Sequence, residues 1–150
     1  MMSEIEQLKK WIAALITGLN AEVDEGTRLK TLEYCGRACA SHFGSLDIVK
    51  TVQSKTKDID NLLALLNQHE DFWCGKWFRD GEIIYSVCET CGCPLIRAGL
   101  VELSSTFCQC SRGWVKIVFE TVLGKPVEVN LEQAIGHGDK VCRYVVIPKR

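Results

Sequence analysis

Trp77-Phe78-Arg79-Asp80-Gly81-Glu82-Ile83-Ile84-Tyr85-Ser86-Val87 is the stretch on which the reading of the fold turns. Two aromatic and β-branched runs flank Asp80-Gly81, and an Asp-Gly pair suits the two-residue turn of a β-hairpin. Before this point, apolar residues recur every three or four positions; after it, they largely alternate. That change of period makes the chain α+β: N-terminal helices packed with a roughly four-stranded antiparallel sheet, plus one helix in the C-terminal half.

Upstream of the hairpin, Ile5, Leu8, Ile12, Leu15, Ile16 and Leu19 mark one face of a helix, with Ser3 and Glu6 at the spacing of a capping box. A second helix over 24–43 carries Leu29, Leu32, Cys35, Cys39 and Phe43 on its expected buried side, and Gly44 stops it. A third is expected over 45–53. A fourth over 58–68 turns Ile59, Leu62, Leu63 and Leu66 inward. Downstream, Cys93-Pro94 resists helix. Ser111 reads as the N-cap of a helix bearing Val115, Val118, Phe119 and Val122, closed by Gly124 with Pro126 beyond. Val127, Val129 and Leu131 alternate with Glu128, Asn130 and Glu132, a strand with one wet face. A turn at Gly136-His137-Gly138-Asp139 leads to a closing strand over 141–147. No linker separates the halves, so 1–150 reads as one domain, with a helical half 1–70 and a cysteine-rich half 71–150.

The totals narrow the function classes. Net charge is -1 with no run of one sign, which argues against nucleic acid or a membrane surface as partner. The opening Met-Met-Ser-Glu-Ile-Glu interleaves apolar residues with charges, unlike a signal peptide or a membrane span, so the cytoplasm is the expected compartment. Nine cysteines are many for such a chain. In a reducing compartment clustered cysteines are metal ligands or reactive thiols more often than crosslinks.

Five of them form the candidate site: Cys88-x-x-Cys91-x-Cys93, then Cys108-x-Cys110. A Cys-x-x-Cys turn aims two thiolates at one centre, and a second pair from another loop completes the four ligands of a tetrahedral zinc. Zinc held by four of these five is one reading; an iron–sulfur cluster matches the spacing less well. Small buried hydrophobes are the other, since unpaired cysteine is commonly buried. Cys110, just before the expected cap at Ser111, would have its thiolate stabilised by a helix N-terminus, giving a lowered pKa. Cys35 and Cys39, one turn apart among small residues, are better explained by close helix packing than by metal. Cys74 is isolated and reads as structural. His42 and His69 lie at helix ends, and His137 in a Gly-x-Gly turn. Only Arg97 and Arg112 lie in or beside the cysteine segment, too few for a zinc ribbon that binds nucleic acid. Trp11, Trp73 and Trp77 are candidate interface residues of a homodimer.

Three further stretches carry a family resemblance. Phe107-Cys108-Gln109-Cys110-Ser111-Arg112-Gly113-Trp114, Leu123-Gly124-Lys125-Pro126-Val127-Glu128-Val129 and Gly138-Asp139-Lys140-Val141-Cys142-Arg143-Tyr144 together resemble the 4-vinyl reductase-like superfamily. They are similar also to the L-2-amino-thiazoline-4-carboxylic acid hydrolase-like proteins and to uncharacterised cysteine-rich bacterial relatives. The resemblance covers roughly 72–150 and implies a sheet with flanking helices around a small-molecule pocket. In the sensors of that superfamily it implies a zinc site built from a Glu and two Cys. Glu132 and Cys142 match the outer two positions, but the middle one falls at or near Ile135, so that site is incomplete here.

Two functions follow. One is a small-molecule- or metal-binding domain, sensory or accessory, built on Cys88, Cys91, Cys93, Cys108 and Cys110. The other is a hydrolase or thiol-chemistry enzyme with Cys110 as nucleophile and Glu132 or His137 as proton carrier.

Overall fold

The computed structural model describes residues 1–72 and 76–150; Trp73 and Cys74 lie outside them. Four helices come first: α1 (Glu4–Glu22), α2 (Glu25–His42), α3 (Ser45–Gln53) and α4 (Ile59–Gln68). The strands β1 (Lys76–Asp80) and β2 (Ile83–Cys88) follow, then the single-turn helices α5 (Pro94–Arg97) and α6 (Ser105–Cys108). Helix α7 (Cys110–Leu123), strand β3 (Val127–Gln133), a 3-10 turn (Ile135–His137) and strand β4 (Cys142–Pro148) complete the chain. The chain is α+β, with a four-stranded antiparallel sheet in the order β1-β2-β4-β3.

The hairpin forms, but its turn sits one residue later than the Asp-Gly pair suggests. Asp80 pairs with Ile83, so Gly81 and Glu82 are the central residues. Gly81 takes φ +62 at the first of them, the position where a type II′ turn places glycine. Along β2, Ile84, Ser86 and Cys88 point into the core, as period-2 alternation dictates. Val127 and Val129 of β3 and Tyr144 and Val146 of β4 join them on the covered face. Trp114, Val115, Val118, Phe119 and Val122 of α7 pack on that face, flanked by Val49, Val52, Leu62, Leu63 and Leu66 from α3 and α4. On the outer face, Phe78 stacks on Tyr85 at 5.6 Å between ring centroids, and Arg143 lies over the Tyr85 ring.

Helix α2 packs on a face turned partly away from the expected one, keeping Leu32 buried and Leu29 and Cys39 half-buried. Leu32, Gly36 and Ala40 are buried, whereas Cys35 and Phe43 are exposed. The reason is a near-contact of two helix backbones. A Cβ at Gly36 would overlap the Cys110 carbonyl and stand 2.7 Å from the Trp114 nitrogen, and a Cβ at Gly113 would overlap the Glu33 carbonyl. Small residues thus mark the contact, and larger apolar ones flank it.

Two further expectations are corrected. Ser111 is not a cap: α7 begins at Cys110, and the Ser111 hydroxyl donates to the Cys108 carbonyl at 2.6 Å. The nearby capping serine is Ser104, whose oxygen accepts from the Phe107 N–H at the start of α6. Trp77 is a core residue, 1% exposed, against Phe119 at 4.6 Å and Tyr144 at 6.0 Å, so it offers no interface. Among the described residues no helix is long and apolar enough to cross a membrane.

Candidate functional site

The cysteines of the second half meet where the end of β2, the start of β4 and the start of α7 converge. Cys88 and Cys142 are directly opposed across the antiparallel β2–β4 pair, so both side chains leave the same face of the sheet where β2 ends and β4 begins. The connection after β2 carries Cys91 and Cys93, and Cys93 ends in a Pro94-initiated turn of helix. Cys108 closes α6 and Cys110 opens α7. Cys39 comes from the opposite wall, because the Gly36–Gly113 approach brings α2 against the first turn of α7. These seven cysteines line one cavity of about 40 Å³, closed by Phe107, Trp114 and Tyr144. That volume is roughly a quarter of the ~150 Å³ cavity that accepts benzene.

Backbone amides reach two of the sulfurs. Ile135 N–H donates to Cys142 Sγ at 3.4 Å, and Gly136 N–H donates to Cys108 Sγ. A Cβ at Gly136 would overlap Cys108 Sγ and stand 2.7 Å from the Ser104 carbonyl, so only glycine lets the amide come this close. Behind the thiols, Tyr144 donates its hydroxyl to Ser111 Oγ at 2.8 Å, and Trp114 Nε1 donates to the buried Ser45 Oγ at 3.0 Å. These bonds fix the aromatic wall.

Burial dominates the electrostatics. It pushes the Cys39 thiol up to about 11, with Cys93 adding to the rise. Cys108 is raised to about 11 by burial, opposed by the Gly136 N–H and reinforced by Cys142, Cys91 and Cys93. Cys110 goes to about 12, again by burial first, then by Cys39, Cys35 and Cys93. The expected lowering at Cys110 does not occur. A helix N-terminus favours a thiolate by a fraction of what desolvation costs here, and among the described residues no cationic side chain lines the cavity. These three thiols therefore stay protonated at neutral pH.

All five cysteines proposed as ligands line this single cavity. Glu132 and His137 do not. Glu132 is half-exposed and ion-paired with Arg143 at 3.0 Å, and the His137 ring lies 3.4 Å from Gln109 Nε2 on the surface. Cys39 and Cys142 are the residues that spacing did not place with the cluster. The Gly-Asp-x-x-Cys ending did single out Cys142; nothing local singles out Cys39. Among the described residues, no three His, Cys, Asp or Glu side chains already stand in a metal-holding group.

A family pattern matches residues 1–150 from end to end. The chain belongs to DUF6144, a family of unknown function. No curated protein matches the sequence of this DUF6144 chain. Its fold is similar to the crystal structure of the phenol-responsive sensory domain of the transcription activator PoxR with phenol, at a TM-score of 0.58. Identity is 12%, over 94% of this chain and 74% of that one, so the likeness is one of fold.

Proposed function

We propose that this DUF6144 protein is a ligand-binding domain, sensory or accessory, whose site is the seven-cysteine cavity and whose ligand is a soft metal ion, zinc foremost. The donor set carries this reading: among the described residues seven cysteine sulfurs line the cavity, and no carboxylate or imidazole does. A sulfur-only set favours thiophilic ions over hard ones. The cavity volume points the same way, since an ion with sulfurs at about 2.3 Å fits where an aromatic ring does not.

Four of Cys88, Cys91, Cys93, Cys108 and Cys110 are the ligands we favour, with Cys39 and Cys142 lining the same cavity. Ligation requires these side chains to rotate inward and lose protons, which makes uptake dependent on pH. Amide donors at Cys108 and Cys142 supply the outer hydrogen bonds that metal thiolates commonly take. Likeness to a sensory domain, together with the sequence resemblance to the 4-vinyl reductase-like superfamily, supports sensing as the role. The zinc-type pair Glu132 and Cys142 finds no support in an ion-paired, half-exposed Glu132. Nor does any observation favour Cys110 as a nucleophile, with its pKa raised and neither Glu132 nor His137 lining the cavity.

A second reading rests on the open groove beside the cavity, about 560 Å³, which shares Cys39 and Trp114 with it and adds Phe43, Phe72 and Arg97. A small organic ligand with an apolar body suits its Phe43, Phe72 and Trp114 walls, where Arg97 is offset by Glu70 and Asp71.

Elemental analysis with thiol counting, on protein purified without oxygen or chelator, tests the main reading. We expect near-stoichiometric zinc, with several thiols protected until chelator is added. Iron with sulfide would move the assignment to a cluster. Absent metal, nine titratable thiols and no zinc uptake on titration would overturn it.

A further inference from the structure

Helix α1 presents an apolar stripe that the other described residues leave uncovered. Ile5, Leu8, Trp11 and Leu15 are 59%, 47%, 64% and 47% exposed, and no residue of α1 is buried. Its attachment to the body runs along one flank of that stripe, and Ile12, half-buried, borders both. Ile12, Ala13 and Ile16 face the 99–104 segment, and Asn20 accepts a hydrogen bond from Thr106 Oγ1 at 2.6 Å. Four large side chains in water along one helix mark a surface awaiting a partner.

The spacing identifies that partner. Ile5, Leu8, Ile12, Leu15 and Leu19 step alternately by three and four, a heptad seam with Ile5, Ile12 and Leu19 at a and Leu8 and Leu15 at d. β-branched residues at a with Leu at d favour two parallel strands. The flanks agree. Glu4 falls at g and Lys9 at the following e, so in a parallel pair Glu4 of each copy meets Lys9 of the other. Trp11 occupies the next g and extends the apolar contact. In an antiparallel pair g faces g, and Glu4 would lack its cation.

We propose that a second copy of this chain docks on α1, giving a parallel homodimer whose seam is Ile5, Leu8, Ile12, Leu15 and Leu19. A free peptide this short would not pair stably, because ordering it costs too much. Here the helix is already formed, with the reciprocal Ser3–Glu6 capping box at its start. A lipid surface is a poorer occupant: Glu6, Lys10 and Glu22 give the polar side both signs, where membrane-lying helices are rich in Lys and Arg.

Sedimentation equilibrium of the full chain tests the proposal. The wild-type chain is expected to be a dimer at micromolar concentration. Leu8→Glu/Leu15→Glu should be monomeric with unchanged circular dichroism, since both residues are exposed, and its Tm should no longer rise with protein concentration as the wild type's does. Glu4→Lys should weaken the dimer about tenfold by turning two symmetry-related attractions into repulsions, and Glu4→Lys/Lys9→Glu should restore it. A monomeric wild type, a dimer that survives the paired glutamates, or a failure of the charge exchange to restore affinity would each overturn it. So would a monomer that sediments with phosphatidylcholine–phosphatidylserine vesicles.

Discussion

Gly36→Ala probes the contact that sets α2 against α7 and thereby puts Cys39 opposite Cys110. The added methyl would overlap the Cys110 carbonyl and lie 2.7 Å from the Trp114 nitrogen, where ordinary contact begins at 3.4 Å. Both obstacles are backbone, so no side chain can swing aside, and α7 must retreat by something on the order of 1 Å. A gap of that size forfeits a quarter to a half of the dispersion energy across the facing surfaces. Overpacking of this kind costs about 1–3 kcal/mol, and a backbone obstacle belongs at the upper end. Alanine returns about 1 kcal/mol through helix propensity, leaving a net loss of about 2 kcal/mol. For a chain of this size that lowers Tm by about 4–8 °C. Gly18, with nothing within 4 Å of its Cβ position, is the internal control, and Gly18→Ala should gain up to about 1 kcal/mol. Denaturant titration of the two variants decides the matter. Gly36→Ala as stable as the wild type, or stabilised like Gly18→Ala, would refute the close-contact argument. Adding Gly113→Ala should cost less than it does alone, because one retreat of α7 relieves both overlaps.

Gly136→Ala should push the 135–137 turn away from Cys108 Sγ and remove its amide donor, lowering metal affinity by about tenfold or more in a chelator competition; unchanged affinity would sink the role given to that amide. The raised thiols also fix a pH dependence for metal-free protein. The folded forms of Cys39, Cys108 and Cys110 keep their protons to about 11, 11 and 12, whereas an unfolded thiol loses its own near 9. Over that window the folded state binds more protons, so stability is complete below about pH 9 and falls as pH rises towards 12. Urea titrations from pH 8 to 11 check this, and Cys110→Ala should flatten the decline.

Local pattern carried most of the architecture and little of the contact geometry. The capping box at Ser3, the stop at Gly124 and the alternation of Val127 and Val129 depend on neighbours within a few residues, and they stand where the pattern puts them. The hairpin slipped by one residue because Asp-Gly and Gly-Glu are both acceptable turns, and strand pairing chooses between them. Ser111 misled because a serine before an apolar run is also free to bond backward to a carbonyl, which it does once α6 precedes it. The buried face of α2 was hidden for a different reason: hydrophobicity marks which residues prefer to leave water, while Gly36 marks where a backbone must pass.

That same contact explains why the site was only half legible. Cys88, Cys91, Cys93, Cys108 and Cys110 announce themselves by spacing. Cys39, one turn beyond Gly36, joins them only because two glycines let the helices touch. Cys142 joins through strand register, as the residue that β-pairing sets against Cys88. The motif cysteines therefore supply one wall, and long-range packing supplies the other. If the cavity binds an ion, variants at Cys39 and Cys142 should alter its affinity or selectivity even where four motif cysteines suffice to hold it. Packing alone would instead make those two residues replaceable by alanine at a cost in stability only.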